Sequence, residues 1–543
     1  MAPHKSAASK RRAVKTEATT AKANNVKKPA SRQPTSQADS SRSAVKRRRN
    51  DDQGDDAPDA TRQKRARKGD AVAVAAPSRK RAVTARTHGA KAEAKAKAAT
   101  PQPTPLNTRP SQRLNIFVFG EGGFGELGLG NKKHEGKKPI NVKQPRLNHN
   151  LLPDEVGVVQ VACGGMHNVA LTADNKILTW GVNDNKALGR EPVFEDPGSD
   201  VDDSGDEDED GNDDYKGLDL GESTPGEVDL SALSEVPQFV QVAATDSASF
   251  ALTETGDVYG WGTFRGSDGV FGFTQDIEIQ STPIQVPGLK DITSLAAGTS
   301  HMLALDKDGK VFTWGYGGEY QLGWKPATRH AGPKATLEPH VCGRFTKGNH
   351  AVKIAAGSYH SFYIDNHGKL WSWGLNNFAQ TGHPDRAGRD GAIVTTAKVV
   401  RALRDYEIVH VDGGMHHSVA CSADGKLITW GRIDSHQVGV ESGVFTEKNS
   451  IMDENGKPRI LVKPIPIPLP TAFVAASSDT SIAVGRDGRA YSWGFSENYQ
   501  TGQGTKDDVE IPAPIDNSAV RGEKIVWAGV GGQYGMLASV KSS

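Results

Sequence analysis

The sequence predicts an all-β fold, a seven-bladed β-propeller closed by its N- and C-terminal strands and preceded by a disordered basic tail. Three observations predict it. A strand that ends in an aromatic–glycine pair recurs seven times. Asp-Gly turns, which are typical of β-hairpins, recur before most of these strands. Repeats of roughly 50–60 residues built only from strands are typical of propeller blades.

The aromatic–glycine pairs define the blades of the propeller, which we expect to span residues 114–541. They are Phe119-Gly120, Trp180-Gly181, Trp261-Gly262, Trp314-Gly315, Trp373-Gly374, Trp430-Gly431 and Trp493-Gly494. The first such strand, at residues 116–120, has no preceding partner, and the last strands, at residues 527–540, have no following one. Joined, they make one closing blade and protect strand edges that would otherwise be exposed.

Residues 1–113 form the basic tail. The first 110 residues carry 27 basic and 9 acidic side chains, and no Phe, Trp or Tyr precedes Phe117. Such a segment buries too little apolar surface to offset its ordering entropy, so we expect disorder. Two basic clusters have the form of a bipartite nuclear-import signal, and their charge also suits DNA phosphates; a solubilising arm without a partner is the alternative. The clusters contain Lys46, Arg47, Arg48, Arg49, Lys64, Arg65, Arg67 and Lys68.

An acidic insert separates the first two Trp-Gly pairs. Residues 195–229 carry 16 acidic side chains and one lysine. That composition predicts a disordered loop. Its role is open: it either keeps the protein soluble, competes with DNA for the basic tail, or contacts a basic partner.

Composition excludes several classes of protein. No stretch approaches 18 consecutive apolar residues, so we expect no membrane span, and the basic N-terminus lacks the apolar region of a secretory signal. Cys163, Cys342 and Cys421 lie far apart and form no zinc motif. No phosphate-binding loop, zinc-protease or nucleophile-elbow motif is present. We therefore expect a binding protein without metal or cofactor rather than a catalyst of bond chemistry.

The second blade departs from the repeat in length. In six blades, the further glycine of the repeat follows the aromatic residue of the pair by nine residues, but from Trp261 to Gly272 the offset is eleven. Glycines within the longer segment suit a protruding hairpin, and a protrusion on a rigid scaffold suits entry into a partner. A harmless loop variant is the alternative. The residues concerned are Arg265, Gly266, Ser267, Asp268, Gly269 and Val270.

Two charged or titratable residues also break the repeat. A Gly-x-x-His motif recurs at His167, His301, His360 and His417, which is best explained as a structural tie through ring hydrogen bonds. His416 stands one position before the last of these, and Asp246 is an unusual charge in an otherwise small-residue turn. We expect these turns to share one face of the propeller, which makes Asp246 and His416 candidate contact residues.

Together the repeats resemble the regulator of chromosome condensation family over residues 114–541. The strings Gly122-Gly-Phe-Gly-Glu-Leu-Gly-Leu-Gly130, Val161-Ala-Cys-Gly-Gly-Met-His167 and Ala187-Leu-Gly-Arg190 are similar to that family's first turns. Trp261-Gly-Thr-Phe-Arg265 followed by Asp268-Gly-Val-Phe-Gly272 resembles the β-wedge of those members that exchange guanine nucleotides on the small GTPase Ran.

The resemblance implies a chromatin-associated nuclear exchange factor. One propeller face, with Asp246, His416 and the wedge, would contact Ran and promote GDP release. The resemblance also implies nuclear-import receptors and nucleosomes as partners, the latter through the tail and through a loop on the other face, at Lys325, Arg329 and Lys334. Three positions depart from the family pattern: Ser300, Trp324 and Tyr534 replace an aspartate, an arginine and a histidine.

The sequence disfavours three alternatives to exchange activity. A propeller that only scaffolds chromatin or a partner has no need of the two extra residues in the second blade. A ubiquitin ligase with such repeats is disfavoured because no catalytic domain follows the final strand. A light-sensing relative would need clustered Gly-Trp-Arg-His runs, which the sequence lacks.

Overall fold

A computed structural model describes residues 105–191, 214–326 and 332–541. The import-signal clusters, residues 195–213 of the acidic insert and Arg329 lie outside the described residues. The described chain is almost entirely β-structure, so the predicted all-β propeller class is confirmed. No helix in these ranges is long and apolar enough to cross a membrane.

The strands of the closing blade and of blades 1 to 3 fill the first part of the chain. They are β1 (Leu114–Gly120), β2 (Val142–Leu147), β3 (Val158–Cys163), β4 (His167–Thr172), β5 (Ile177–Gly181), β6 (Gly226–Glu227), β7 (Phe239–Ala244), β8 (Ala248–Thr253), β9 (Val258–Gly262), β10 (Phe264–Gly266), β11 (Gly269–Gly272), β12 (Gln280–Gln285), β13 (Ile292–Ala297), β14 (His301–Asp306), β15 (Val311–Gly315) and β16 (His340–Val341). One short α-helix, α1 (Leu220–Ser223), precedes β6.

Blades 4 to 6 follow, and the chain then returns to the closing blade. The strands are β17 (Ala351–Ala356), β18 (His360–Asp365), β19 (Leu370–Leu375), β20 (Ile393–Val399), β21 (Ile408–Gly413), β22 (His417–Ser422), β23 (Lys426–Arg432), β24 (Ser450–Met452), β25 (Pro458–Ser477), β26 (Thr480–Gly485), β27 (Ala490–Gly494), β28 (Val509–Pro514), β29 (Ile525–Val530) and β30 (Tyr534–Val540). Short 3-10 helices lie at His149–Leu151, Asp214–Gly217, Pro333–Leu337, Arg401–Leu403 and Ser442–Val444.

Each blade is an antiparallel sheet whose second strand is buried along its whole length, except for Val540 at the end of β30. In blade 3, β14 pairs with β13 on one side and with β15 on the other, and His301 stands opposite Gly315. All six residues of β14 are buried because the strand also packs between neighbouring blades. Trp314, next to Gly315, is only 2 % exposed, so the repeated tryptophan is a core residue.

The first and last strands share one sheet. Strand β1 lies between β2 and β30, and its register with β30 runs from Leu114 opposite Val540 to Gly120 opposite Tyr534. The seven inner strands contact one another in a closed order, β3, β7, β13, β17, β21, β25, β29 and again β3. They line a central channel with a volume of about 320 Å³.

Buried hydrogen bonds of the repeat tryptophans tie five of the blades to the blade before them. The indole Nε1 of a repeat tryptophan donates to a backbone carbonyl of the preceding blade over 2.7–2.9 Å, which satisfies a buried polar atom that would otherwise be costly. The donor and acceptor residues are Trp180 and Glu126, Trp261 and Ala187, Trp373 and Gln321, Trp430 and Gln380, and Trp493 and Gln437.

The repeat histidines have the structural role that the sequence predicts, and they act between blades. Each ring Nε2 lies 2.7–2.9 Å from a serine hydroxyl on the second strand of the next blade. The pairs are His167 with Ser249, His301 with Ser361, His360 with Ser418, and His417 with Ser481. In the closing blade the Tyr534 hydroxyl takes the same place and donates to Asn168 Oδ1 over 2.8 Å.

Two predicted boundaries are wrong. Residues 105–113, assigned to the tail, lie along the propeller edge, where the Asn107 amide donates to the carbonyls of Thr253 and Ile292. Residues 214–229, assigned to the disordered insert, are ordered because Tyr215 and Val228 are buried and β6 completes blade 1. In both segments, a few contacts with the propeller provide enough stabilisation to order a chain of mostly polar composition.

Candidate functional site

The turns between the first and second strands of all blades lie at one end of the ring, which we call the turn face. Backbone hydrogen bonds join neighbouring turns: the Asp246 amide donates to Thr299, and the Met415 amide to Ser478. Third strands end at the same side, as the pairing of Gly262 with Ala248 shows. The turns comprise residues 164–166, 245–247, 298–300, 357–359, 414–416, 478–479 and 531–533.

Asp246 is a partly buried carboxylate on the turn face. One carboxylate oxygen lies against the backbone of Gly165 in blade 1, so closely that a Cβ at residue 165 would stand 1.9 Å from it. Burial raises the pKa of Asp246, and the positive charge of Arg265 and a hydrogen bond from Ser247 oppose that shift. A cationic group of a partner placed beside this carboxylate would favour its charged form.

The predicted protrusion in blade 2 is a two-stranded hairpin, which we call the wedge. Strands β10 and β11 place Arg265 opposite Val270 and Gly266 opposite Gly269. The wedge follows β9 directly, and it therefore rises from the turn face that carries Asp246. The charge of Arg265 on the wedge acts on Asp246, so the structure brings these two predicted site residues together.

Tyr316 of blade 3 supports the wedge from one side. The ring of Phe271 meets the ring of Tyr316 edge-on with centroids 5.3 Å apart, and the hydroxyls of Ser267 and Tyr316 lie 3.3 Å apart. Gly266 fits closely, because a Cβ there would stand 2.7 Å from the Tyr316 ring. Val270 on the opposite strand is 45 % exposed. The wedge thus has a fixed base and an exposed apolar side chain.

His416 also lies on the turn face, in blade 5. Its ring packs against Phe378 with centroids 4.7 Å apart. Burial and the nearby Arg432 lower the pKa of His416 to about 4, although the charge of Asp479 opposes this shift. The imidazole is therefore neutral near pH 7, and its Nδ1 has no hydrogen-bond partner within the described residues. Blades 3 and 4 separate His416 from Asp246.

Next to His416 lies a cluster of one aromatic ring and two guanidinium groups that the sequence analysis did not predict. The guanidinium groups of Arg432 and Arg459 lie 5.2 and 5.3 Å from the centre of the Phe378 ring. Phe378 is the fifth residue after Trp373, and the same offset after Phe119 gives Phe124, which is 54 % exposed. The available signal was an aromatic residue at a repeat position that in the other five blades holds Asn185, Gly266, Glu319, Ser435 and Asn498.

The two described residues of the predicted nucleosome loop, Lys325 and Lys334, contact other residues of the chain, and their role in nucleosome binding stays a prediction. Lys334 forms an ion pair over 3.3 Å with Glu278, which follows the wedge in the chain. The Lys325 ammonium lies 3.9 Å from the centre of the Tyr320 ring. The two described cations of this loop therefore already have partners within the chain.

The structure explains two of the three departures from the family pattern. Trp324 donates its indole N–H to the Thr313 hydroxyl over 2.9 Å and packs against His340. Tyr534 is the buried tie between the closing blade and blade 1. Ser300 is only 7 % exposed, and nothing in the structure explains its replacement of an acidic residue.

The RCC1-like domain profile matches residues 115–537, which is most of the chain. The chain belongs to this family. Among RCC1-like relatives, it is 40 % identical over 452 residues to the "Guanine nucleotide exchange factor SRM1" of Saccharomyces cerevisiae, covering 80 % of this chain and 88 % of that one. It is 30 % identical over 431 residues to the human "Regulator of chromosome condensation", covering 78 % and 90 %.

Solved RCC1-like structures agree with the fold. The crystal structure of Prp20p from Saccharomyces cerevisiae, described together with its binding to Gsp1p and histones, matches with a TM-score of 0.69 and 38 % identity, covering 80 % of this chain and 92 % of that one. The complex of Kap60 with yeast RCC1 (Prp20) matches with a TM-score of 0.70 and 36 % identity, covering 85 % and 97 %.

Proposed function

We propose that this RCC1-like protein is a guanine-nucleotide exchange factor for a small GTPase of the Ran class. The observation that carries the proposal is the wedge, a hairpin with a fixed base that rises beside Asp246 on the turn face. A relative named as a guanine-nucleotide exchange factor and a solved relative described with its binding to Gsp1p support it.

The wedge suits displacement of a nucleotide. A small GTPase holds GDP through its phosphate-binding loop, a lysine and Mg²⁺. The wedge presents Asp268 in its turn and the exposed Val270 beside that turn, and Tyr316 supports the hairpin, so insertion near that loop does not require the wedge itself to reorganise. Binding the nucleotide-free GTPase more tightly than the GDP form then shifts the population toward release.

Asp246 and His416 would orient the GTPase on the turn face. The Asp246 carboxylate is partly desolvated already, and a basic group of the partner would stabilise the charged form that burial disfavours. His416 would present its neutral imidazole ring, which packs against Phe378, to the partner. No covalent bond is made or broken in this scheme, and either nucleotide enters the emptied GTPase.

We further propose that the protein acts in the nucleus on chromatin. The basic clusters at residues 46–49 and 64–68 have the form of an import signal, and a solved relative is recorded in complex with Kap60. The tail charge suits DNA phosphates, and a relative is described with its binding to histones. Lys325 and Lys334 contribute less than the sequence suggests, since both have partners within the chain.

Release of a fluorescent GDP analogue from purified Ran tests the exchange proposal. The full-length protein should accelerate release, and a variant in which the wedge residues Arg265 to Phe271 are replaced by a short Gly-Ser link should not. Circular dichroism and thermal unfolding must show that the variant remains folded. If the intact, folded protein leaves release unchanged, the exchange proposal fails and a chromatin-binding scaffold becomes the better account.

A further inference from the structure

A basic cleft runs along the outer edge of the closing blade, away from the wedge. It has a volume of about 1100 Å³ and lies between β2 with its preceding loop and loops of blade 6 and the closing blade. Its polar and aromatic lining includes His134, Lys137, Lys138, Lys143, Arg146, His149, Tyr499 and Lys506. We use the name basic cleft for this group.

The charge of the basic cleft is strongly one-sided. Five lysine and arginine side chains line it, and Glu135 is the one acidic residue among its described lining. The ammonium groups of Lys143 and Lys506 lie 5.8 and 5.2 Å from the centre of the same Tyr499 ring. Within the described residues, neither of them, nor Lys137, forms an ion pair with a carboxylate. Like charges gathered in one concave surface repel, and an anion relieves that repulsion.

Two histidines also line the basic cleft. The rings of His134 and His149 are stacked with centroids 3.8 Å apart and planes within 2°. Burial lowers the pKa of His149, with further contributions from His134 and from the charge of Arg146. An anion in the cleft would oppose this lowering and favour the protonated, positively charged form of His149.

The same chain carries a strongly acidic segment, and the residues that follow this segment lie at the edge of the basic cleft. Residues 192–213 contain eleven acidic side chains and no lysine or arginine. The next residues are anchored on the loop that lines the cleft: the buried ring of Tyr215 lies 5.9 Å from the Lys138 ammonium, and the Asn131 amide donates to the Leu218 carbonyl over 3.3 Å. One end of the acidic segment is therefore tethered at the cleft.

We propose that the acidic segment, residues 192–213, binds in the basic cleft of the same chain. Its charge complements the cleft, and its 22 residues have a root-mean-square reach of about 26 Å as a free chain. Tethering gives such a segment an effective concentration on the order of millimolar, so modest ion pairs suffice to hold it there. An external polyanion, such as a nucleic-acid backbone, must displace the segment to enter the cleft.

Zero-length carbodiimide cross-linking of the full-length protein, followed by mass spectrometry, tests the proposal. We expect amide links between acidic residues of the segment 192–213 and Lys137, Lys143 or Lys506, and we expect them to disappear in high salt. Links from the segment only to lysines of the N-terminal tail, or no links to the cleft at low salt, would overturn it.

Pulse acetylation of lysines provides a second test. Changing Asp202, Asp203, Asp206, Glu207, Asp208, Glu209 and Asp210 to their amides should raise the labelling of Lys143 and Lys506 several-fold relative to the exposed Lys290 and Lys347. A matched control changes the exposed acids Asp385, Asp390, Asp405, Glu407, Glu441, Glu447 and Glu454.

The two variants must differ for the proposal to stand. Equal labelling of the cleft lysines in both variants and the unaltered protein would contradict it. Protection of the cleft lysines by an added DNA duplex to the same extent in the unaltered protein and the segment variant would show that the segment does not occupy the cleft, and would assign it to nucleic acid instead.

Discussion

At the residue scale, the buried histidines make the propeller sensitive to acid. Burial lowers the pKa of His167 and His417 to about 4 and that of His301 to about 3. Between those values and the ordinary value near 6.5, the unfolded chain binds more protons than the folded one. The free energy of unfolding therefore falls as the pH falls through this window, by about 3 kcal/mol for a shift of the size at His167.

Urea unfolding between about pH 7 and pH 5 measures this dependence. We expect the variant His301→Gln to be less stable near neutral pH, because it loses the fitted bond to Ser361, but to lose less stability on acidification. The exposed His367 serves as the control position. An unchanged pH dependence in His301→Gln would contradict the assignment of a buried neutral ring.

Asp246 is the residue whose charge we expect to matter most for exchange. Asp246→Asn keeps the size of the side chain and removes its charge, so it should lower kcat/KM for GDP release by roughly 30-fold, equivalent to about 2 kcal/mol. Steady-state release at several GTPase concentrations checks this, with the exposed Glu447→Gln as control. Equal rates for Asp246→Asn and the unaltered protein would remove Asp246 from the site.

Single residues of the site were predictable where they differ from the residues at the equivalent positions of the other repeats. Asp246 and His416 stood out because neighbouring repeats hold different residues there, and the structure places both on the turn face. The partners of the repeat histidines were not predictable, since alignment along the chain does not show which serine of the next blade lies opposite.

At the element scale, the wedge depends on its close fit to Tyr316. In Gly266→Val the new side chain would press on the Tyr316 ring, because even a Cβ stands 2.7 Å from it. We expect the hairpin to tilt and the exchange rate to fall at least tenfold, roughly 1.4 kcal/mol in the activation free energy, while the melting temperature changes little. Gly348→Val is the control, since its Cβ has no neighbour within 4 Å. Equal loss of exchange in both variants would contradict a specific role of this fit.

Element boundaries were less predictable than element types. The acidic composition of residues 214–229 predicts disorder, but buried Tyr215 and the helix cap at Asp219 order this segment. The 20-residue length of strand β25 was also not predictable, because one strand serves as the outer strand of blade 5 and the inner strand of blade 6. Its alternating prolines, from Pro464 to Pro470, lie in the part that pairs only with β23 on one side, where a missing N–H is tolerated.

At the scale of the whole molecule, the shared sheet of β1 and β30 predicts an asymmetric response to truncation. Removing residues 526–543 takes away most of β29 and all of β30, exposes the edge of β1 and should abolish cooperative unfolding. Removing residues 1–104 leaves the described propeller intact and should leave its melting temperature nearly unchanged. Calorimetry of both truncations checks this, and a stable core without residues 526–543 would contradict the shared sheet.

The repeat made the whole-molecule fold predictable. Seven aromatic–glycine pairs predict the units, and the unpaired first and last strands predict their association, which the register of β1 with β30 matches. The basic cleft was not predictable, because its lysines come from segments near residues 137 and 506 that only the closed ring brings together. Long-range charge clusters of this kind leave no periodic pattern in the sequence.

The central claim is that the wedge and the turn face favour the nucleotide-free GTPase. The most direct test measures the affinity of the full-length protein for immobilised Ran with and without bound GDP. We predict binding to the nucleotide-free form at least a hundredfold tighter, about 2.7 kcal/mol, and a difference that shrinks when the wedge is replaced by the Gly-Ser link. Equal affinity of the intact protein for both forms of Ran would contradict the account.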